Sequence, residues 1–199
     1  MGEQSGGDGT GRALVAVLAG GRSTRMGAPK ASARLRGRSL ISYPLAAARE
    51  AGMEALVVAK PDSELPPLDV PVICESQHPR HPLCGIVTAL AHAGAPVVAV
   101  GCDMPFVSGG LLAWLACAPA KAIELDGRVQ PLPAVYHPAE LPALERALGE
   151  EGSLRATLAA LVRRRVGEEA LRAFGRPERL CFSVNDARDL QTASRWAAG

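Results

Sequence analysis

The stretch LAGGRSTRMGAPK, residues 18–30, decides how the rest of the chain is interpreted. It follows an apolar run at 13–18 whose composition predicts a buried strand. Its three glycines leave backbone N–H groups unshielded and permit unusual dihedral angles, while Arg22, Arg25 and Lys30 add positive charge. A strand that opens into such a loop is suited to bind a polyanion, and a nucleoside triphosphate is the best fit.

Two common phosphate-binding motifs do not fit this loop. A Walker A loop requires Gly-Lys-Ser/Thr, whereas Gly27 is followed by Ala28, Pro29 and Lys30. A dinucleotide fingerprint requires GxGxxG, which the glycines of this loop do not supply. The sequence therefore favours neither a P-loop hydrolase nor a nicotinamide-dependent dehydrogenase. An ordinary glycine-rich connection is the structural alternative, and the three cations argue against it.

The overall composition predicts an ordinary globular protein. The 199 residues are 48% hydrophobic and 21% charged, and the formal net charge of +2 is too small for nucleic acid to be the main partner. No run of 18 apolar residues occurs, so no membrane span is expected. Five cysteines without a CxxC pair predict buried free thiols in a reducing cytoplasm rather than a zinc site. We expect a disordered tail at 1–12 and a single domain at 13–199.

Apolar strand-like runs alternate with helical patterns, which predicts an α/β protein with a mostly parallel sheet and helices on both faces. The predicted strands are 13–18, 55–59, 70–74, 96–100, 120–125, 130–136 and 180–184, and the predicted helices are 39–51, 85–93, 109–118, 138–148, 153–165 and 187–197. The turn signal Asp126-Gly127 introduces one antiparallel element. Ligands of such sheets bind beyond the carboxyl ends of the strands, where the 20–30 loop, Glu75 and Asp103 should meet.

The loop pattern LAGGxSxRMGxxK resembles the signature of the nucleotidyltransferases that build molybdenum cofactor dinucleotides, and among them the molybdenum cofactor guanylyltransferases. The resemblance extends to about Trp196 through the later blocks PLCGI (82–86), CDMPF (102–106) and QPL (130–132). It implies a three-layer, Rossmann-like fold and transfer of GMP from GTP to molybdopterin with release of pyrophosphate. Related cytidylyl and sugar-phosphate enzymes more often have Ala in place of Gly20, so this glycine favours guanine.

The resemblance also implies roles for individual residues. Arg25 and Lys30 would neutralise the triphosphate and the leaving pyrophosphate, and Asp103 would bind Mg²⁺. Asn185 would help to bind the acceptor. Nucleotide contacts are implied for Leu18, Ala19, Gly20, Gly21, Lys30, Glu75, Gly85 and Asp103. Each has a structural alternative, such as a solvated cation, a surface carboxylate, a turn-forming Asp or Asn, or a glycine that starts a helix.

The chain departs from the family where base and acceptor would be chosen. Ala59 stands where the family often has an Asn that touches the nucleotide, His81 replaces a Gly, and Ser183 replaces an Asn. Two other functions therefore stay open: nucleotidyl transfer from CTP or to a sugar or lactyl phosphate, and a non-enzymatic module that binds nucleotide and delivers cofactor. The expected partners are GTP and molybdopterin, with transient contacts to molybdoenzymes or cofactor-synthesis proteins in the cytoplasm.

Overall fold

The computed structural model describes residues 12–21, 29–78, 81–117, 121–150 and 164–198, together with Thr157 and Leu161. The predicted tail lies outside the described residues apart from Arg12, and so do Arg22 and Arg25. Within the described ranges, no helix is both long and apolar enough to cross a membrane.

A five-stranded sheet forms the centre of the fold. Its strands, in spatial order, are β5 (Val72–Cys74), β4 (Ala55–Ala59), β1 (Leu14–Leu18), β6 (Val97–Gly101) and β9 (Ala134–Tyr136). The first four are parallel, and β9 runs antiparallel to β6. The predicted mostly parallel sheet with an antiparallel element is confirmed, and the carboxyl ends of four strands meet at one edge.

Helices cover both faces of this sheet, as predicted. Alternate residues of β1 point to opposite faces, with Val15 and Val17 in one buried cluster and Ala16 in the other. Helices α1 (Ser42–Glu50) and α3 (Gly109–Ala116) pack on the first face, and α2 (Pro82–Ala93) and α4 (Leu141–Gly149) on the second. A 3₁₀ turn at Pro138–Glu140 leads into α4. Apolar residues on both faces explain why the central strands are continuous hydrophobic runs rather than alternating ones.

Local signals set several helix ends. Ser108 accepts a hydrogen bond from Leu111 N at the start of α3, and His81 Nδ1 accepts one from Leu83 N at the start of α2. Gly94, with φ 57°, ends α2 in the left-handed conformation that glycine favours. The helix predicted at 39–51 begins only at Ser42, because β3 (Arg38–Ser39) pairs with β2 (Arg34–Leu35) in a small hairpin.

A second sheet contains the predicted turn at Asp126-Gly127. Both residues have positive φ, 50° and 69°, and they join β7 (Lys121–Leu125) to β8 (Arg128–Gln130). The single strand predicted at 130–136 is wrong: β8 pairs with β7, whereas β9 belongs to the central sheet. Pro131 and Pro133 separate them, since proline has no N–H to continue a ladder.

Two predictions toward the C-terminus are also wrong. The helix expected at 153–165 cannot reach Arg165, because β10 (Arg164–Val166) pairs in parallel with β7; its earlier part lies mostly outside the described residues. Helix α5 (Glu168–Leu171) follows β10. The strand expected at 180–184 is replaced by helix α6 (Pro177–Leu180), which starts at a proline, and by an irregular segment. Helix α7 (Ala187–Trp196), capped by Asp186, was predicted nearly to the residue.

Candidate active site

A cavity of about 440 Å³ opens at the edge of the central sheet where the parallel strands end. This volume is within the usual range for small-molecule sites. The residues around it come from the ends of β1, β4, β5 and β6 and from the start of α2: Leu18, Gly20, Gly21, Lys30, Val58, Lys60, Glu75, His81, Pro82, Gly85, Gly101, Cys102 and Asp103, with Leu132 and Ser183. The described part of the 20–30 loop, Glu75 and Asp103 therefore lie around one cavity.

Lys30 and Asp103 line the cavity, and Asn185 contacts Lys30 beside the lining; we call these three residues the wall of the site. The ammonium of Lys30 donates to Asp103 Oδ2 at 2.9 Å and to Asn185 Oδ1 at 2.7 Å. The side chains of Lys30 and Asp103 are 18% and 14% exposed, so a ligand in the cavity can reach both. This wall joins three distant parts of the chain.

Backbone contacts hold that wall in place. Val184 N donates to the carbonyl oxygen of Asp103 at 2.8 Å, which ties the segment before α7 to the end of β6. Asn185 N donates to Asp189 Oδ2 at 2.7 Å, and its side-chain amide donates to the carbonyl oxygen of Ser183 at 3.0 Å. These bonds fix Asn185 with its amide oxygen directed at Lys30.

Lys60 and Glu75 form a buried ion pair on another side of the cavity. Lys60 follows β4, Glu75 follows β5, and Lys60 Nζ lies 3.3 Å from Glu75 Oε1. The two residues are only 4% and 7% exposed, so the prediction's alternative of a surface carboxylate at Glu75 is excluded. Lys60 also donates to the carbonyl oxygen of Ser76 at 2.5 Å. Burial raises the pKa of the Glu75 carboxyl, and the nearby Lys60 ammonium partly offsets that rise.

Three glycines leave the space that these carboxylates need. A Cβ on Gly20 would lie 1.8 Å from Glu75 Oε1, and a Cβ on Gly101 would lie 2.5 Å from Asp103 Oδ1. A Cβ on Gly85 would lie 3.2 Å from Glu75 Oε2. An alanine at Gly20 or Gly101 would therefore force the neighbouring carboxylate to move.

Asp103 and Asn185 are the residues of this wall whose oxygens could bind a cation. In the structure the Lys30 ammonium lies between a carboxylate oxygen of Asp103 and the amide oxygen of Asn185. Both are hard oxygen donors of the kind that Mg²⁺ prefers. Among the described residues, no group of three or more His, Cys, Asp and Glu side chains is placed to hold a metal. A magnesium ion here would thus depend on Asp103 together with water and substrate phosphate oxygens.

The remaining predicted residues divide into those at the cavity and those away from it. Leu18, Gly20, Gly21 and Gly85 line it. Ala19 is buried, and its N–H donates to the carbonyl oxygen of Val58. Arg25 lies outside the described residues.

Lys60 was not among the residues predicted from the sequence, although its neighbour Ala59 was discussed. Ala59, at which a lost nucleotide contact was expected, is buried in the apolar core. The polar residue at this strand end is Lys60, which lines the cavity. The rule that located Glu75 and Asp103, a charged residue directly beyond a buried strand, could have found Lys60 as well. Gly101 was also missed, although it immediately precedes the quoted CDMPF block.

The cysteines only partly match the expectation of buried thiols. All five are reduced, and Cys84 and Cys102 are buried, but Cys74 and Cys117 are exposed. Burial raises the pKa of Cys181 to about 12 and raises the pKa of Cys102 as well. The prediction of buried thiols is wrong for Cys74, which lies on edge strand β5, and for Cys117, which lies at the end of α3.

A mostly parallel α/β sheet whose carboxyl edge brings Gly20, Lys30 and Asp103 to one cavity fits a nucleotidyltransferase. Residues 15–166 match the family described as MobA-like NTP transferase domain, and the chain belongs to that family. A probable molybdenum cofactor guanylyltransferase of Opitutus terrae is 38% identical over 75% of this chain and 79% of that protein. The molybdenum cofactor guanylyltransferase of Rhizobium leguminosarum bv. trifolii is 33% identical over 94% of both chains.

A solved structure supports the same assignment. Molybdopterin-guanine dinucleotide biosynthesis protein A from Archaeoglobus fulgidus superposes with a TM-score of 0.79 and 25% identity, over 93% of this chain and 98% of that one. The predicted family and fold class are confirmed, and the nucleotidyltransferase role follows from the family.

Proposed function

We propose that this protein transfers GMP from GTP to molybdopterin, releasing pyrophosphate and forming molybdopterin guanine dinucleotide. The observation that carries the proposal is the Lys30–Asp103 pair at 2.9 Å, beside the same cavity that Gly20 and Gly21 line. The relatives align with most of this chain, and the substrates in the proposal are inferred from their names.

The proposed reaction is a direct displacement at the α-phosphorus of GTP. An oxygen of the terminal phosphate of molybdopterin forms a new bond to that phosphorus. The bond from the phosphorus to the bridging oxygen of the β-phosphate breaks, and pyrophosphate leaves with the electron pair. The protein's task is to hold both reactants in line and to stabilise the charge that spreads over the phosphate oxygens.

The described residues fit this task. The ammonium of Lys30 is held at the cavity by two oxygens, where phosphate oxygens can compete for its protons. Arg25 would add a second cation. The backbone at Leu18, Gly20 and Gly21 would lie along the nucleotide, and Asn185 would position the acceptor phosphate.

The proposal includes Mg²⁺ as cofactor, held by Asp103. When bound, the ion would draw charge from the phosphate oxygens and lower the barrier to displacement. Asp103 carries an exposed fraction of 14% and retains lone pairs beyond the one that Lys30 uses, so it can serve as the protein's ligand.

We further propose that residues 13–199 act as one nucleotidyltransferase domain in the cytoplasm. Five reduced cysteines are compatible with that compartment. Molybdoenzymes or other cofactor-synthesis proteins would receive the product through transient contacts.

Pyrophosphate release tests the function. The purified protein is given molybdopterin, Mg²⁺ and either GTP or CTP, and release is expected with GTP. Asp103→Ala should reduce the rate by about 10²-fold or more, because a positioned electrostatic contact to the phosphates is lost. Asp69→Ala, which removes a surface carboxylate paired with Arg49, is the matched control.

Each other outcome points to a specific alternative. Release with CTP alone would make the protein a cytidylyltransferase. GTP binding without release by any acceptor phosphate would make it a delivery module. Normal rates in a folded Asp103→Ala variant would remove Asp103 from the mechanism.

A further inference from the structure

We propose that Asp189, on helix α7, is a positioning residue for the transfer reaction. It holds Asn185 so that the amide oxygen of Asn185 faces Lys30 and the acceptor phosphate. Asp189 is not among the described residues that line the cavity, so it would act through Asn185 rather than on a substrate. The inference rests on the proposed function, in which Asn185 positions the acceptor, and it adds to the site a residue that the sequence did not single out.

A short hydrogen bond joins Asp189 to Asn185. The carboxylate oxygen Oδ2 of Asp189 accepts from the backbone N–H of Asn185 at 2.7 Å. A bond of this length to an ionised acceptor is charge-assisted and stronger than a bond between neutral groups. Asn185 itself is exposed and lies in the irregular segment before α7. Its orientation therefore depends on a few directed bonds rather than on packing.

The other side of Asn185 is anchored through its neighbours. Val184 is fully buried, and its N–H donates to the carbonyl oxygen of Asp103 at 2.8 Å. The side-chain amide of Asn185 donates to the carbonyl oxygen of Ser183 at 3.0 Å. Val184 thus fixes the chain before Asn185, and Asp189 fixes the N–H of Asn185 from the helix. Without the second anchor, the segment could turn the amide oxygen away from Lys30.

The carboxylate of Asp189 is itself held in place by the cap of α7. Asp186 Oδ1 accepts from the N–H of Arg188 at 2.8 Å and from the N–H of Asp189 at 2.9 Å. This cap satisfies two backbone donors of the first turn and fixes the turn on which Asp189 lies. A negative charge in the first turn is also stabilised by the helix dipole. The acid is therefore pre-positioned to receive the N–H of Asn185.

The far end of α7 is tied to the segment that follows Asp103. The ring of Trp196 lies 5.7 Å from the ring of Phe106 and 4.8 Å from the ring of Phe182. Ala193, between the two ends of the helix, is fully buried. Phe106 is three residues beyond Asp103. Helix α7 is thus a fixed support, and a side chain on it can set the geometry of the site.

The first test is kinetic and uses the whole protein with GTP, Mg²⁺ and molybdopterin. Asp189→Ala should raise KM for molybdopterin by about 10-fold, because Asn185 loses a charge-assisted bond and no longer holds one orientation. The affinity for GTP, measured by calorimetry, should stay at the wild-type value, since Lys30 keeps its charge and its bond to Asp103. Asp189→Asn retains an oxygen that can accept from Asn185 and should restore most of the wild-type KM.

Two comparisons separate positioning from a merely structural role. A variant that is only less stable would lower kcat through its active fraction and leave KM unchanged. Ser194→Ala is the matched control, because it removes another side-chain-to-backbone bond of α7, the 2.8 Å contact to Leu190, and it should leave both constants unchanged. Adding Asp189→Ala to Asn185→Ala should cost little more, since both substitutions remove the same function.

The second test needs no substrate. Dilute acetic anhydride acetylates lysine amines, and peptide mass spectrometry measures the rate at Lys30. Asp189→Ala should speed this reaction by about 3- to 10-fold, because a misdirected Asn185 no longer engages the ammonium. Asp189→Asn and Ser194→Ala should react at the wild-type rate.

The opposing outcomes are distinct for the inference and for the proposed function. An unchanged KM for molybdopterin, an unchanged rate of Lys30 acetylation, or additive effects with Asn185→Ala would overturn the positioning role while the wild-type protein remains an active transferase. Wild-type protein that releases no pyrophosphate with any acceptor would instead overturn the proposed function, whatever the acetylation of Lys30 shows.

Discussion

Substitution of Gly20 by alanine should disturb Glu75 and, through it, the binding of GTP. Gly20 has no positive φ that would forbid alanine, so the effect comes from the new methyl group alone. Its carbon would lie 1.8 Å from Glu75 Oε1 and 2.9 Å from Cδ of the same side chain. Ordinary van der Waals contact begins near 3.4 Å, so the carboxylate must retreat by about 1.6 Å.

A movement of that size has two consequences. The Lys60–Glu75 pair spans 3.3 Å and cannot keep its geometry, which leaves a buried charge less well paired. Overpacking of a tight interior site costs about 1–3 kcal/mol of folding stability. For a domain of this size each kcal/mol corresponds to a decrease in Tm of about 2–4 °C. Because the resemblance implies that Glu75 contacts the nucleotide, its displacement should also weaken GTP binding, by a factor of about 10 to 100.

Thermal unfolding without nucleotide and calorimetric titration with GTP measure the two effects. Gly21→Ala is the control for stability, because a Cβ there meets nothing within 4 Å and Tm should stay at the wild-type value. Gly149→Ala is the control for binding, since it adds a methyl group in open space at the end of α4. Glu75→Asp shortens the acid by one methylene and should restore part of the stability of Gly20→Ala.

If Gly20→Ala melts at the wild-type temperature and binds GTP equally well, the carboxylate of Glu75 does not lie against residue 20. Additive effects of Gly20→Ala and Glu75→Asp would contradict that contact too, because residues in contact should show coupling in a double-mutant cycle.

Three other predictions concern the acids and thiols. Gly101→Ala should lower the transfer rate at saturating GTP, since its Cβ would lie 2.5 Å from Asp103 Oδ1; an unchanged rate would exclude that contact. A thiol-alkylating reagent at neutral pH should modify exposed Cys74 and Cys117 before Cys102 and Cys181, as peptide mass spectrometry can determine, because burial raises the pKa of the latter two thiols and also shields Cys102 from the reagent. Burial raises the pKa of Glu75 above its ordinary value of 4.5, so the folded protein holds this proton to higher pH than the unfolded chain does, although Lys60 limits the shift. The free energy of unfolding should therefore fall as pH rises from 4.5 through the raised pKa. Chemical denaturation at several pH values measures this decrease, and Glu75→Gln should lack the part of it that Glu75 causes.

The central sheet could be predicted from the sequence because its strands are continuous apolar runs with clear ends. The predicted strand at 55–59 matches β4 to the residue, and Gly101 closes β6 one residue beyond the prediction. The turn at Asp126-Gly127 was predictable because this residue pair favours the positive φ that both residues adopt. These signals are local, so neighbouring residues suffice to read them.

The elements that were misjudged depend on distant partners. The RRV sequence of β10 has no strong local preference, and its pairing with β7, some 40 residues earlier, makes it a strand. The apolar pattern at 180–184 resembles a strand, but Val184 makes its backbone bond to a loop residue, Asp103, rather than to a ladder. Tertiary contacts override weak local propensity in both cases.

The candidate site, too, has features that the local sequence predicts and features that depend on distant partners. Its location followed from the rule that parallel strands place their carboxyl ends at one edge, which brought Glu75 and Asp103 to one cavity. The hydrogen bond from Lys30 to Asn185 crosses 155 residues, and no local pattern encodes it. The pairing of Lys60 with Glu75 requires the order of β4 and β5 in the sheet, which the sequence does not state.

The wall formed by Lys30, Asp103 and Asn185 has a consequence for how the protein is made. Lys30 is separated from its two partners by 73 and 155 residues. At a synthesis rate of about 5–20 residues per second, roughly 8–30 s pass between the emergence of Lys30 and that of Asn185. The nascent chain can begin to assemble its early strands in that interval, but the lysine must wait for its amide partner until Asn185 leaves the ribosome. The site is thus completed well after its first residue has been made.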